Sequence, residues 1–205
     1  MHCNSIPRRA PACMIATHRG RLSRFMALLL ALALIASPKL YSQAAAPTEY
    51  EVKAAYLYNL GKFVEWPAKT ATASDSFSIC VLGHDPFGPT LDTLIAKETI
   101  NGKSIVVKRL LKPQDAVSCH ILFISSAEES RLKEILSALD KANVLTVSDM
   151  PQFTKRGGMI QFVLDANRVR FEINLTSAER AGLTLSSQLL KVAISVRRDS
   201  HPGAM

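Results

Sequence analysis

The most regular apolar pattern in the chain lies between residues 52 and 64. At about 100° per residue, Val52, Tyr56, Leu57, Leu60, Phe63 and Val64 fall within an arc of about 140°, the wide stripe an amphipathic helix turns toward a core. Thr48 followed three residues later by Glu51 supplies a capping box, and Pro67 predicts a stop after Trp66. Lys53 falls inside the arc and is expected to snorkel from the first turn, whereas Tyr58 falls well outside it. After a small polar linker, 68–76, the apolar run 77–82 predicts a strand closed by Gly83. A helix over 86–97 follows, then the turn Asn101-Gly102 and a strand over 104–109. Residues 120–124 are almost continuously apolar, as a central strand covered on both faces must be. A helix over 128–140 carries Leu132, Ile135, Leu136 and Leu139 at helical spacing, and 143–147 is a fourth strand.

The pattern then changes. Segments 159–164 and 168–173 flank the short turn Asp165-Ala166-Asn167, which predicts an antiparallel hairpin. In its second strand Val169, Phe171 and Ile173 alternate with Arg168, Arg170 and Glu172, so one face is buried and the other is wet or bound to a partner. Helices over 177–181 and 187–196 finish the domain, and 199–205 is a tail. Strand–helix alternation implies a single α/β domain over 45–198. Its mainly parallel sheet is flanked by helices, Rossmann-like, with a C-terminal hairpin and two terminal helices.

Charge changes the picture only at the amino terminus. The whole chain of 205 residues carries a net charge of +8. Arg8, Arg9, Arg19, Arg21, Arg24 and Lys39 all precede Ala45, and no Asp or Glu does. From Ala45 onward 19 basic residues face 17 acidic ones, a net of +2, which removes the basic domain face a nucleic-acid partner needs. Arginines, the twelve-residue apolar run 25–36, the breaker Ser37-Pro38 and the small residues around Ala44 follow in the order of a secretory signal peptide, with cleavage after Ala44. Met14 is an alternative start that would leave 1–13 outside the gene product. The run is too short to span a bilayer, which takes roughly 20 residues, so the protein is read as exported and not itself membrane-spanning, with an uncleaved signal anchor as the alternative. Cys3 and Cys13 leave with the leader. Cys80 and Cys119 remain, and in an oxidising compartment they most simply form one disulfide, the alternative being two buried free thiols.

Chemistry is sparse. His84 and Asp85 follow the carboxyl end of the first predicted strand, where open α/β sheets place ligands, and form the candidate ligand site. His120 begins a strand and is read as structural, and His201 lies in the tail. No metal-ligand spacing, phosphate-binding glycine loop or nucleophile elbow appears, so neither a metal nor a cofactor is expected. An enzyme with dispersed catalytic groups stays open as an alternative to a binding protein.

The segment from Val52 to Pro67, VKAAYLYNLGKFVEWP, resembles the opening helix of the YfiR family of small periplasmic proteins. VLGHDPFG from Val81, CHILFIS from Cys119, Gly158-Met159-Ile160, VRFEIN from Val169 and the segment from Leu183 to Ala193 agree in the same order. The resemblance implies a regulator rather than an enzyme. It would bind and repress the periplasmic portion of an inner-membrane diguanylate cyclase of the YfiN type, lowering cyclic di-GMP and biofilm formation. It also implies a homodimer, and Cys80 and Cys119 match a cysteine pair of the family. A second pair is missing, with Thr154 and Gln161 near where it would fall, and a single bridge makes a poorer redox switch than two unequal ones. Tyr58 and the hairpin's outer residues Arg168, Arg170 and Glu172 are the candidate partner or dimer surface. The alternative function is a small-molecule sensor, or a binding module for another membrane signalling protein.

Overall fold

A computed structural model of the chain describes residues 46–68 and 75–198; the expected leader and the tail lie outside them. The first helix, α1 (Glu49–Phe63), opens with the expected capping box, Thr48 accepting from the Glu51 N–H and Glu51 accepting from the Thr48 N–H. It ends at Phe63 rather than at Trp66, because β-branched Val64 turns extended and β1 (Val64–Glu65) pairs antiparallel with β9 (Thr184–Leu185).

The main sheet contains β2 (Ser76–Leu82), β3 (Thr99–Ile100), β4 (Lys103–Leu110), β5 (Ile121–Ile124), β6 (Leu145–Ser148), β7 (Ile160–Asp165), β8 (Arg168–Asn174) and β10 (Ser195–Arg197). Its order is β10-β8-β7-β6-β5-β2-β4-β3. The run β4-β2-β5-β6-β7 is parallel throughout, and its chain order is the doubly wound one with a switch point between β2 and β5. β8 turns back antiparallel on β7 through Ala166 and Asn167, both at positive φ, which is the two-residue hairpin turn.

Both faces of the central strands β2, β5 and β6 are buried. Phe77, Ile79 and Val81 of β2 join Leu57 and Leu60 of α1 and Leu91 of α2 (Pro89–Ile95) in the larger core. Cys80 and Leu82 face the other way, into a smaller core with Leu132 and Ile135 of α3 (Leu132–Ala138). Two-sided burial explains why these strands read as apolar runs rather than as alternations.

Several boundaries depart from expectation for local reasons. The helix expected over 86–97 shrinks to α2, because Gly88 takes a φ of 52° that breaks the helix and Pro89 starts it afresh. The first part of the helix expected over 128–140 is a 3-10 turn, Ser126–Arg131, whose N-cap Ser125 accepts from the Ala127 N–H. The terminal helices are α4 (Leu175–Arg180) and α5 (Ser187–Val192), and the second is cut short. Ile194 donates its N–H to the Phe171 carbonyl, and β10 runs parallel to β8. The alternation of Val192, Ile194 and Val196 is a strand signal inside what reads as a helix.

Candidate functional site

The carboxyl ends of the strands, where a ligand was expected, are occupied by the protein itself. Asp85 accepts from the Phe87 N–H at 2.8 Å and from Arg109 Nε at 2.9 Å. Arg109 also grips Asp92 and donates to the Gly88 carbonyl, and these hydrogen bonds hold the Asp92 carboxyl below its ordinary range. Phe87 packs edge-on to Phe123 of β5 and to Tyr50 of α1. At Gly83, with a φ of +85°, any Cβ would meet the Glu128 carboxylate at 2.7 Å. Asp85 is therefore a strut of the β2–α2 loop, and His84 beside it is exposed. Neither lines any concavity described below.

A polar cluster that the sequence reading missed lies at the same edge. Lys53 does not snorkel; its ammonium is buried, 2.7 Å from Asp149 after β6 and 2.5 Å from Glu49 one turn earlier. The Tyr50 hydroxyl donates to the same Asp149 oxygen at 3.1 Å, and the Lys53 ammonium stands 4.4 Å from the Tyr50 ring centre. Burial pushes the Lys53 pKa down, but the hydrogen bonds to Asp149 and Glu49 outweigh it, and the net shift is upward. Burial also raises the Tyr50 pKa, reinforced by the Asp149 charge. A shallow concavity of about 410 Å³ opens beside this cluster, reaching Ser126 and Gln161. The signal was a lysine inside an apolar arc, which a buried partner explains better than snorkelling.

The expected partner surface divides. Arg168 and Arg170 line a concavity of about 920 Å³ between the amino-terminal half of α1, the hairpin tip and α5. Val52, Tyr56, Val169 and the exposed Leu164 and Val192 give it apolar walls, and Lys191 adds a third cation against the single acid Glu49. Glu172 stands apart, accepting from Thr154 Oγ1 at 3.3 Å. Tyr58 is not at the surface. It is buried, its hydroxyl bonded to Glu98 and its ring under the Lys62 ammonium at 3.9 Å. Gly61 on the same side of α1 lets the helix come close to Ile100 and Phe77, so the helix has a second buried face that the single-arc reading left out.

A third concavity, about 290 Å³, lies at the opposite, amino-terminal edge of the parallel strands. Trp66, Phe77 and His120 wall it: Phe77 and His120 stack at 4.4 Å, and Trp66 stands edge-on to both. His120 Nδ1 accepts from the Ser78 N–H at 3.1 Å. Burial, helped by the charges of Lys103 and Lys108, lowers the His120 pKa, so the ring is neutral and its proton sits on Nε2. The buried Trp66 Nε1–H has no acceptor among the described residues, an omission that costs about 1–3 kcal/mol.

Cys80 and Cys119 are bridged, with Cα atoms 6.1 Å apart, and the bond is buried in the smaller core. Among the described residues no helix is long and apolar enough to cross a membrane, and no group of three or more His, Cys, Asp or Glu could hold a metal ion.

The protein is thus a doubly wound α/β domain whose crevice between β2 and β5 is filled by its own side chains, with concavities beside the Lys53–Asp149 cluster, at the hairpin and at the far edge. Residues 50–194 match the YfiR/HmsC-like family, and the chain belongs to that family. Its members are periplasmic and regulatory rather than catalytic. Among solved structures, a conserved domain protein from Vibrio cholerae O1 biovar El Tor is similar at 16% identity and a TM-score of 0.50, over 73% of this chain and 60% of that one. An ABC domain in complex with L-Trp from Streptococcus pneumonia aligns at 14% identity and a TM-score of 0.44, over 63% of this chain and 58% of that one. The chain spans about three-fifths of the length of the solved structures it matches, and the first likeness speaks to the fold alone.

Proposed function

We propose that this protein is a periplasmic repressor that binds the periplasmic portion of an inner-membrane diguanylate cyclase and thereby lowers cyclic di-GMP and biofilm formation. The observation that carries the reading is family membership over nearly the whole described domain. In this reading 1–44 is the cleaved leader, 45–198 the regulatory domain and 199–205 a tail. The contact surface is the groove between α1, the hairpin tip and α5. Its apolar walls offer area to bury, and Arg168, Arg170 and Lys191 select an acidic segment on the cyclase. The exposed Ile194 and Val196, at and within the edge strand β10, are the surface for a second copy in the homodimer.

The test has two parts. Affinity capture of the exported protein from detergent-solubilised envelope is expected to recover a membrane protein with a cyclase domain. Deleting the gene in a strain that expresses that cyclase is expected to raise cyclic di-GMP, with restoration by wild type but not by the double variant Arg170→Glu, Lys191→Glu. Unchanged cyclic di-GMP on deletion refutes repression. Recovery of a different membrane sensor keeps the binding role and removes cyclic di-GMP from it.

A further inference from the structure

We propose that the open edge of β4 accepts an added strand, an extended protein segment that alternates apolar and acidic residues. β4 runs from Lys103 to Leu110, but β3 covers it only at Lys103 and Ser104. From Ile105 to Leu110, about 20 Å of strand, it has no neighbouring strand on that side among the described residues. Hydrogen bonding fixes which groups are left over. The Leu110 carbonyl accepts from the Gly83 N–H on the β2 side, and in a parallel ladder alternate residues bond to the same neighbour. Val106 and Lys108 therefore also bond toward β2, and the N–H and C=O groups of Ile105, Val107 and Arg109 point outward. Native sheets keep such edges short or cover them. The opposite edge strand, β10, has three residues, and the open part of β4 is twice as long.

Side chains choose the occupant. Register with β2 puts Val106, Lys108 and Leu110 on one face of β4 and Ile105, Val107 and Arg109 on the other. Ile105 and Val107 pack against the larger core yet stay partly exposed, so that face offers apolar area at the edge. On the first face Val106 is 40% exposed, and half-buried Lys108 has no carboxylate partner among the described residues. Exposed Lys112 follows just beyond the strand. Arg109 differs, because Asp85 and Asp92 already outweigh its charge and keep acidic side chains off its face. A strand with apolar residues toward Ile105 and Val107, and acids toward Lys108 and Lys112, matches both faces. A second copy does not, because antiparallel pairing centred on this stretch makes the two Lys108 side chains cross-strand neighbours, a like-charge contact. This edge lies at the other end of the sheet from β8 and β10, so the inference stands whichever protein the groove beside the hairpin engages.

Purified oxidised protein is titrated with a capped octapeptide of alternating glutamate and valine, and separately with its lysine–valine counterpart. Binding is read by NMR, and amide hydrogen exchange is followed with and without saturating peptide. Expected is saturable binding of the glutamate peptide with a Kd below about 1 mM, at least tenfold tighter than the lysine peptide. In the free protein the Ile105, Val107 and Arg109 amides should exchange faster than those of Val106, Lys108 and Leu110, and the peptide should slow those three at least tenfold. Lys108→Glu should weaken binding at least tenfold. Val107→Pro removes one outward N–H, leaves the bonds to β2 in place and should abolish binding. No saturation through about 5 mM glutamate peptide overturns the proposal. So does equal binding of the lysine peptide, wild-type affinity in Lys108→Glu, or protection that misses the three outward amides.

Discussion

Replacing Asp149 by Ala leaves the Lys53 ammonium buried with only half of its partnership. The side chain of Lys53 is 4% exposed and that of Asp149 is 13% exposed, whereas Glu49, the partner that remains, is 37% exposed. Removing one member of a buried pair costs about 3–5 kcal/mol, because the desolvated charge stays behind. Glu49 holds part of the charge, which puts Asp149→Ala near the lower figure, about 3 kcal/mol. For a domain of this size that is a fall in Tm of about 6–12 °C. Lys53→Met removes the buried cation and leaves a more accessible carboxylate, so it should cost less. In the double variant neither charge is stranded, and the cycle should give a coupling of about 2 kcal/mol. The assay is urea unfolding of the four proteins at pH 7. A pH series adds an independent check on sign. The folded Lys53 pKa lies above its ordinary value of 10.5, so its contribution is fully present below that pH and is lost as the pH rises through the folded pKa. Between about pH 10 and pH 12 wild type should therefore lose more stability than Lys53→Met. Additive single effects, or a cost below about 1 kcal/mol for Asp149→Ala, would refute the buried-pair account.

Three further outcomes test other parts of the fold. Reducing the Cys80–Cys119 bridge, which closes a separation of 39 residues, should cost about 4 kcal/mol on the chain-entropy model; two alkylatable thiols in the exported protein without prior reduction would contradict the bridge. Gly61→Ala should destabilise by about 1–3 kcal/mol despite the better helix propensity, because the new Cβ would stand 2.4 Å from Ile100 Cδ1 and 3.2 Å from the Phe77 ring; an unchanged or raised urea midpoint would show that the helix has room there. Asp85→Ala should lower stability by about 1 kcal/mol through loss of its bonds to Phe87 and Arg109, while exposed His84→Ala stays within about 0.5 kcal/mol; the reverse order in thermal melts would restore His84 as the functional member of the pair.

The parallel core was legible in the sequence because both of its faces are buried. A strand such as β5 has no wet side, so its composition alone marks it as central. The hairpin was equally plain, since β8 alternates and its turn is two residues long. The misread parts share one cause, which is that partners distant in sequence decide them. Val64 and Glu65 extend a helical pattern until β9 captures them, and the carboxyl end of α5 yields to β8 in the same way. Tyr58 was misplaced because one apolar arc was drawn on a helix that has two buried faces. Its second face holds Ala54, Tyr58 and Gly61, where small residues count as contact surface although they score weakly in an apolar pattern.

For the site, sequence position suggested the switch point and the side chains then closed it. Doubly wound sheets bind ligands outside the carboxyl ends of their strands because helix N-termini and loop amides converge there around an open crevice. Here the crevice between β2 and β5 receives Phe87 and Tyr50, the β2–α2 loop is tied down by Asp85 and Arg109, and the end of β6 is taken by the Lys53–Asp149 pair. Apart from Arg109 of β4, these groups come from α1 or from a loop it contacts, so α1 acts as a plug on the edge where relatives of the fold place their ligands. The same helix, followed past its end, delivers Trp66 to the amino-terminal edge of the sheet, against Phe77 and His120. One face of its first half also forms a wall of the groove beside Arg170 and Lys191. A single helix and its exit strand therefore touch the filled crevice, the partner groove and the aromatic pocket. A ligand with different affinities for two settings of that helix would shift the groove's population between them, the physical requirement for a signal to change the proposed repression.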